Sequence, residues 1–277
     1  MNINELKKLA AEKAVEEISS GMIIGLGSGS TVQFALEKIS EKIKNGELKN
    51  IVGIPSSSNT EKEAIRLGIP LMTLNEVVKR ETGNGKRKSE IRNQKPVLST
   101  SEGSASSIQH PVSSIIDLTI DGADEVTVGH PNPDLSGEGS KQIDLIKGGG
   151  GALLREKILA QTSKRLIIIT DETKLSKHLG AKWPVPVEVF KFAVGVEQKF
   201  LESLNAKVEL RKNSDGSNYI TDENNFILDA DFGEIKNAKD LSNILNDRAG
   251  IAGHGLFIGL ADKVICAMND GEIRIQK

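Results

Sequence analysis

The chain is short of three things, and each shortage closes off a class of function. It has one cysteine in 277 residues, Cys266 in the apolar run VICAM, so no disulfide can form within it and a reducing, cytoplasmic compartment is expected. A lone thiol in such a run reads as a buried structural group rather than a nucleophile. Charge of either sign is not in excess: 36 basic and 38 acidic residues give a formal net charge of −2, spread along the chain, which leaves no footprint for nucleic acid. Apolar runs long enough to span a membrane are also missing. The first residues, MNINELKKLAAEKAVEEISSG, mix acids and bases and set Leu6, Leu9, Ala10 and Ile18 near helical spacing, unlike a signal or transit peptide. Neither nucleic acid nor membrane is an expected partner.

What is present is a repeated alternation. MIIGL is a short apolar strand that runs into GSGST and the helix VQFALEKISEKI; NIVGIP, SSSNT, EKEAIRLG and the strand IPLMTL repeat the logic. IIDLTI ends in DGADEV, and after the loop GHPNPDLSGEGS come IDLIKGGGGALLREKILAQ and then RLIIIT with DETKLSKHLG. Strands alternating with helices predict an α/β fold, a Rossmann-like parallel sheet with helices on both faces. Residues 79–114 are polar and Gly/Ser-rich with little apolar periodicity and read as a flexible insertion. At WPVPVEVF two prolines interrupt the alternation, and helix, strand, turn, strand, helix and strand follow, the order of a smaller α+β, ferredoxin-like domain. The final ADKVICAMNDGEIRIQK reads as a hairpin around Asn269, Asp270 and Gly271 that returns to the first domain. The expected division is 1–184 with 259–277 as the large domain and 185–258 as the small one.

GLGSGST at 25–31 invites comparison with a dinucleotide fingerprint and fails it: Ser30 stands at the third glycine position, and the second strand ends in Ser56, Ser57 and Ser58 rather than a carboxylate. The lysine of a nucleotide P-loop is absent as well. What remains is a loop of N–H donors at a helix start with the hydroxyls of Ser28, Ser30 and Thr31, suited to a monophosphate or to sugar hydroxyls, or simply a capped turn. SSSNT on the adjacent strand tip favours the ligand, because ligands of parallel sheets collect at the carboxyl ends of strands.

DGAD places Asp121 and Asp124 on that same sheet edge if the strands are parallel. With Glu125 they could bind a metal, yet no histidine or further carboxylate stands at ligand spacing, so a metal is not expected. KGGGGALLRE is the most informative stretch: four consecutive glycines are entropically costly unless a backbone must approach something closely. Lys147 opens that run. Glu156 shares a helical stripe with Ala152, Leu153, Leu159 and Ala160, which should raise its pKa toward that of a general base; the plainer reading is a surface ion pair with Arg155 or Lys157. Asp171 and Lys174 in TDETK follow an apolar strand, where a capped helix start with a surface lysine explains them almost as well.

Together GLGSGST, SSSNT, TIDGADEV, LIKGGGGALLREKI, TDETK and PVPVEV resemble, in order and over most of the chain, the type A ribose-5-phosphate isomerases. The resemblance implies an aldose–ketose isomerase that interconverts D-ribose 5-phosphate and D-ribulose 5-phosphate through an enediol, without cofactor or metal, in the non-oxidative pentose phosphate pathway. It implies catalysis by Glu156, Asp121, Asp124 and Lys147. It implies substrate binding by Ser28, Gly29, Ser30, Thr31, Gly122, Ala123, Gly148, Gly149, Gly150 and Lys174, and a homodimer or homotetramer. In the implied cycle Asp121 and Asp124 assist ring opening, Glu156 moves the proton, and Lys147 with the glycine N–H groups stabilises the oxyanion. The chain departs from the family pattern at Ser28, where threonine is frequent, and in the length of 79–114 and of 129–140. Competing readings are a sugar-phosphate deaminase or lactonase, against which the paired DGAD and KGGGGALLRE motifs argue, a sugar-phosphate-sensing repressor, for which the helix-turn-helix is missing, and an inactive binding protein.

Overall fold

A computed structural model describes residues 1–83, 114–131 and 141–276. Its centre is a six-stranded sheet of β1 (Ile23–Leu26), β2 (Val52–Pro55), β3 (Leu118–Asp121), β6 (Leu166–Asp171), β13 (Lys263–Ala267) and β14 (Ile273–Gln276), in the spatial order β14-β13-β6-β3-β1-β2. All neighbours are parallel except the closing hairpin β13–β14, which brings the end of the chain back beside β6. β6 is buried at every position, as expected of a strand covered on both faces. Ile167 and Ile169 face one side, under α1 (Ile3–Val15) and α2 (Ser30–Lys44), while Leu166 and Ile168 face the other. Helix α1 starts with a capping box in which the Asn2 side chain accepts from Glu5 N and Glu5 reaches back to Asn2 N. Cys266 lies buried in β13, and burial pushes its thiol up to about 12, which leaves it inert.

Several elements differ from the expectation. The run IPLMTL contributes only a single bridge, Gly53 to Leu71, before α4 (Leu74–Gly83) begins, and that helix carries the chain into the region read as an insertion; residues 84–113 lie outside the described residues. The strand before the glycine run does not join the parallel sheet. β4 (Glu125–Pro131) follows β3 after only Gly122–Asp124, too short for a parallel crossover, so the chain leaves the sheet and pairs antiparallel with β5 (Lys141–Ile146). A third sheet results, ordered β12-β5-β4-β7, with β7 (Leu175–Ser176) and β12 (Leu256–Ile258) at its edges, and Val126, Ile143, Leu145 and Phe257 cover Ile168 and Val264 of the main sheet. After β6 the chain makes only a 3₁₀ turn, Glu172–Lys174, where another helix was expected.

The remaining sheet is fully antiparallel, ordered β11-β8-β10-β9, from β8 (Val185–Val189), β9 (Lys207–Leu210), β10 (Phe226–Asp231) and β11 (Ile251–His254). With α6 (Val194–Ser203) and α7 (Ala238–Asn246) this is the ferredoxin-like β-α-β-β-α-β order. PVPVEV is thus a strand and not only an interruption: Pro186 lies one residue beyond the last β11 pair, His254 with Val187, where a missing N–H is tolerated. Helix α5 (Leu153–Thr162) follows the glycine run and buries Leu153, Glu156, Leu159 and Ala160.

Truncating the centre of the main sheet should be felt globally. Ile167→Ala is expected to lower unfolding free energy by about 2–5 kcal/mol in a denaturant titration, because the site is fully enclosed and cannot collapse.

Candidate active site

Three elements end at one point. β3 delivers Asp121 as its last residue, β5 leads directly into Lys147, and the first turn of α5 presents Glu156. All three side chains are buried, at 1%, 2% and 5% residual exposure. The Lys147 ammonium has three acceptors around it: Gly122 O at 2.6 Å, Asp121 Oδ2 at 3.0 Å and Glu156 Oε1 at 3.3 Å, with the Phe257 ring 5.6 Å away. An ammonium carries three N–H donors, so its capacity is filled. Asp121 Oδ1 accepts from Ser28 N at 3.1 Å and Gly122 N at 2.8 Å. This closeness explains Gly27: a Cβ there would sit 2.2 Å from Asp121 Oδ1 and 2.6 Å from its Cα.

The electrostatics follow from one cation among several carboxylates. Burial alone disfavours the Lys147 ammonium, but Asp121, Glu156 and Asp124 together outweigh it and hold its pKa above the ordinary value. Burial pushes the Asp121 carboxyl up, against the pull of Lys147 and of the two backbone N–H groups. Glu156 is raised from 4.5 to about 8, first by burial and then by the fields of Asp121 and Asp124, with Lys147 opposing. Its Oε2 is buried and has no hydrogen-bond partner. The plain alternative of a surface pair for Glu156 does not fit: Arg155 pairs with Asp222 and Glu223, and Lys157 donates to Leu256 O.

Asp124, half-buried, accepts the Gly149 N–H at Oδ2 (2.7 Å), so that donor is committed to a carboxylate and is not free for an oxyanion as the resemblance implied. Gly148 takes φ +101°, and Gly151 N closes the turn onto Gly148 O at 2.9 Å. Ala123 packs on the apolar cluster under the third sheet. Glu125 is spent elsewhere, accepting from Gly180 N, Lys182 N and Trp183 N; among the described residues no three His, Cys, Asp or Glu side chains form a metal-holding group. Lys174 does not reach the cluster. Its ammonium lies 5.1 Å from the centre of the Trp183 ring, whose edge borders Gly149, which puts it at the perimeter.

The first glycine loop forms the neighbouring wall. Gly29 (φ +101°) begins α2 without a side-chain cap, Ser30 and Thr31 occupy its first turn, and the Ser30 hydroxyl accepts from Lys7 Nζ at 2.9 Å. The Ser28 hydroxyl turns toward the second strand tip, 2.7 Å from Ser56 Oγ and 3.0 Å from Ser57 Oγ. Ser57 also caps α3 (Ser58–Leu67) by accepting from Thr60 N. A cleft of about 460 Å³ opens here, with Ser28, Gly29 and Ser30 facing Gly150, Gly151 and Tyr219. Lys7, Tyr219 and Arg211, which donates to Gly148 O, were not singled out in the sequence; they lie 23, 69 and 63 residues from the groups they touch, and no local pattern marks them.

The fold and the buried lysine–carboxylate cluster at the strand tips are those of an α/β acid–base enzyme. The family model described as ribose 5-phosphate isomerase A (phosphoriboisomerase A) matches residues 99–271. Ribose-5-phosphate isomerase A of Desulfatibacillum aliphaticivorans is 47% identical over 96% of this chain and 94% of its own, and that of Chloroflexus aurantiacus is 40% identical over 96% and 90%. Among solved structures, a D-ribose-5-phosphate isomerase in complex with phospho-erythronic acid superposes with a TM-score of 0.78 at 33% identity, covering 100% of both chains. Ribose 5-phosphate isomerase from Plasmodium falciparum does so with 0.76 at 33%, covering 99% of each. The chain belongs to the ribose 5-phosphate isomerase A family.

The raised Glu156 pKa has a thermodynamic consequence whose sign is fixed. Between 4.5 and about 8 the folded state holds a proton on Glu156 that the unfolded chain has released, so this contribution to stability is full below 4.5 and is lost as pH rises through 8. Glu156→Gln, which cannot ionise, should therefore gain melting temperature relative to the parent as pH is raised from 5 to 9; a difference that is flat with pH would contradict it.

Proposed function

We propose that the protein interconverts D-ribose 5-phosphate and D-ribulose 5-phosphate by proton transfer through an enediol. The observation that carries this reading is the Glu156 carboxyl: buried, raised to about 8, with one oxygen unpartnered and the other 3.3 Å from Lys147. A base of that pKa is matched to abstracting a weakly acidic C–H proton near neutral pH. In the open-chain aldose, ionised Glu156 takes the C2 proton and leaves an enediolate. The C2 hydroxyl then gives its proton to O1, and Glu156 returns its own to C1, which completes the ketose with no net change in protons.

Lys147 is assigned to the enediolate oxygen. Its contact with Glu156 is the longest of its three and the one a substrate oxygen displaces. Asp121, already accepting from Ser28 N, Gly122 N and Lys147, is assigned to holding that ammonium, and half-exposed Asp124 to assisting ring opening. The Gly29–Thr31 loop with Lys7 is assigned to the phosphate, where N–H donors at a helix start and one cation converge, and Lys174 to the rim of the sugar site. The same proposal includes a cytoplasmic setting in the non-oxidative pentose phosphate pathway and a homodimer or homotetramer, for which exposed Phe190, Phe192 and Val196 supply apolar surface. No helix among the described residues is long and apolar enough to cross a membrane.

Incubation with ribose 5-phosphate and a chelator in deuterated water is expected to yield ribulose 5-phosphate carrying deuterium at the exchanged carbon. Glu156→Gln should keep the fold and lose kcat by at least about a hundredfold, the weight of a general base. In the parent, kcat/KM should climb with pH and level off above about 8, as the free-enzyme carboxylate forms. Undiminished turnover by the Gln variant would remove Glu156 from the mechanism.

A further inference from the structure

The cycle above leaves a guanidinium unexplained. Arg211, directly after β9 in the ferredoxin-like sheet, reaches into the glycine run and gives Nη1 to two successive carbonyls, Gly148 O at 2.8 Å and Gly149 O at 3.1 Å. Its other edge is gripped by Asp229 of β10, from Nε at 2.8 Å and through Nη2, and its side chain is 13% exposed. Its guanidinium carbon lies 5.9 Å from the Tyr219 ring centre, and the Tyr219 hydroxyl donates to a third carbonyl of the run, Gly150 O, at 3.2 Å.

Peptide geometry makes this an orienting device. In a trans peptide the C=O and N–H point in opposite directions, so whatever fixes one carbonyl aims the N–H of the next residue. Fixing Gly148 O aims the Gly149 N–H, which Asp124 receives. Fixing Gly149 O aims the Gly150 N–H away from Arg211; among the described residues that N–H has no acceptor, and Gly150 lines the cleft. A run of glycines has no side chains with which to hold such a conformation and is the most costly of all backbones to order. The restraint has to come from outside it.

We propose that Arg211, braced by Asp229 and Tyr219, is a positioning residue for the isomerisation, acting through the glycine run rather than on substrate. It holds the Gly150 N–H toward the developing oxyanion and keeps Asp124 in place, so the ferredoxin-like sheet takes part in catalysis. This inference rests on the isomerase reading. A guanidinium that merely stapled two sheets together would affect stability and leave the chemistry alone.

The test compares the parent with Arg211→Met, Arg211→Lys and Tyr219→Phe, reading kcat, KM, melting temperature and inhibition by two anions. Phospho-erythronic acid carries a carboxylate as well as a phosphate, whereas inorganic phosphate reports the phosphate loop alone. Arg211→Met is expected to lower kcat about thirtyfold, part of the cost of losing an oxyanion donor, with KM changed by less than about threefold. Its inhibition constant for phospho-erythronic acid should rise about tenfold while that for inorganic phosphate holds, since only the former reads the reacting end. Arg211→Lys keeps a charge beside Asp229 but cannot span two carbonyls and a carboxylate, so it should recover the melting temperature more fully than kcat. Tyr219→Phe, which removes one hydroxyl, should cost about threefold in kcat. Should Arg211→Met not melt cooperatively, the Lys and Phe variants decide. Variants with altered melting but parental kcat, or equal weakening of both anions, would overturn the inference. A parent chain that does not isomerise ribose 5-phosphate would instead overturn the reading beneath it.

Discussion

One buried ammonium organises the site. Lys147 stands where its charge would be costly if unpaired, and Asp121, Glu156 and the Gly122 carbonyl make it tolerable. The arrangement is unbalanced by design of its parts: one cation serves Asp121 and Glu156 directly and feels Asp124 as well. Burial pushes both carboxyls up, and Asp121 has two backbone N–H donors besides Lys147 pulling the other way. Glu156 has only the longer contact and an unpartnered oxygen, and its carboxyl is raised to about 8. Two carboxyl groups around one lysine thereby sit in different hydrogen-bonding environments.

That cluster depends on backbone approach. Asp121 can meet Ser28 N only because residue 27 has no side chain, and likewise Gly149 can lie against Asp124 and Trp183, and Gly151 against Tyr219, only because they have none. The freedom that permits this is removed again by partners from three places: Asp124 after β3, the Gly148–Gly151 turn itself, and Arg211 with Tyr219 from the connection between β9 and β10 of the antiparallel sheet. The third sheet supplies the underlying layer, since Lys147 leaves β5 beneath Phe257. Each sheet therefore contributes one constraint to a stretch of a few residues.

How much of this could be read from the chain varied with the range of the interaction. β1 with its glycine loop, β3 ending in Asp121 and the hairpin of β13 and β14 were legible because apolar runs and turn residues are local signals. The burial of Glu156 was legible as well, since helical spacing puts it with Leu153, Leu159 and Ala160. The antiparallel excursion through β4 and β5 was not read, although the three residues between β3 and β4 are too few for a crossover. Lys7, Arg211 and Tyr219 carried no mark, because a lysine in an amphipathic helix or an arginine at a strand end looks the same whether or not it has a distant partner.

The sequence by itself determined the alternation of strands and helices, the loops where side chains are absent and the residue types available for proton transfer, because all of these are set within a few residues along the chain. Only the tertiary structure decided which of those groups share a charge. The 3.0 Å and 3.3 Å contacts of Lys147 bring together the end of β3, the end of β5 and a turn of α5, and the shift that makes Glu156 a candidate base arises from the burial and the fields that this meeting creates.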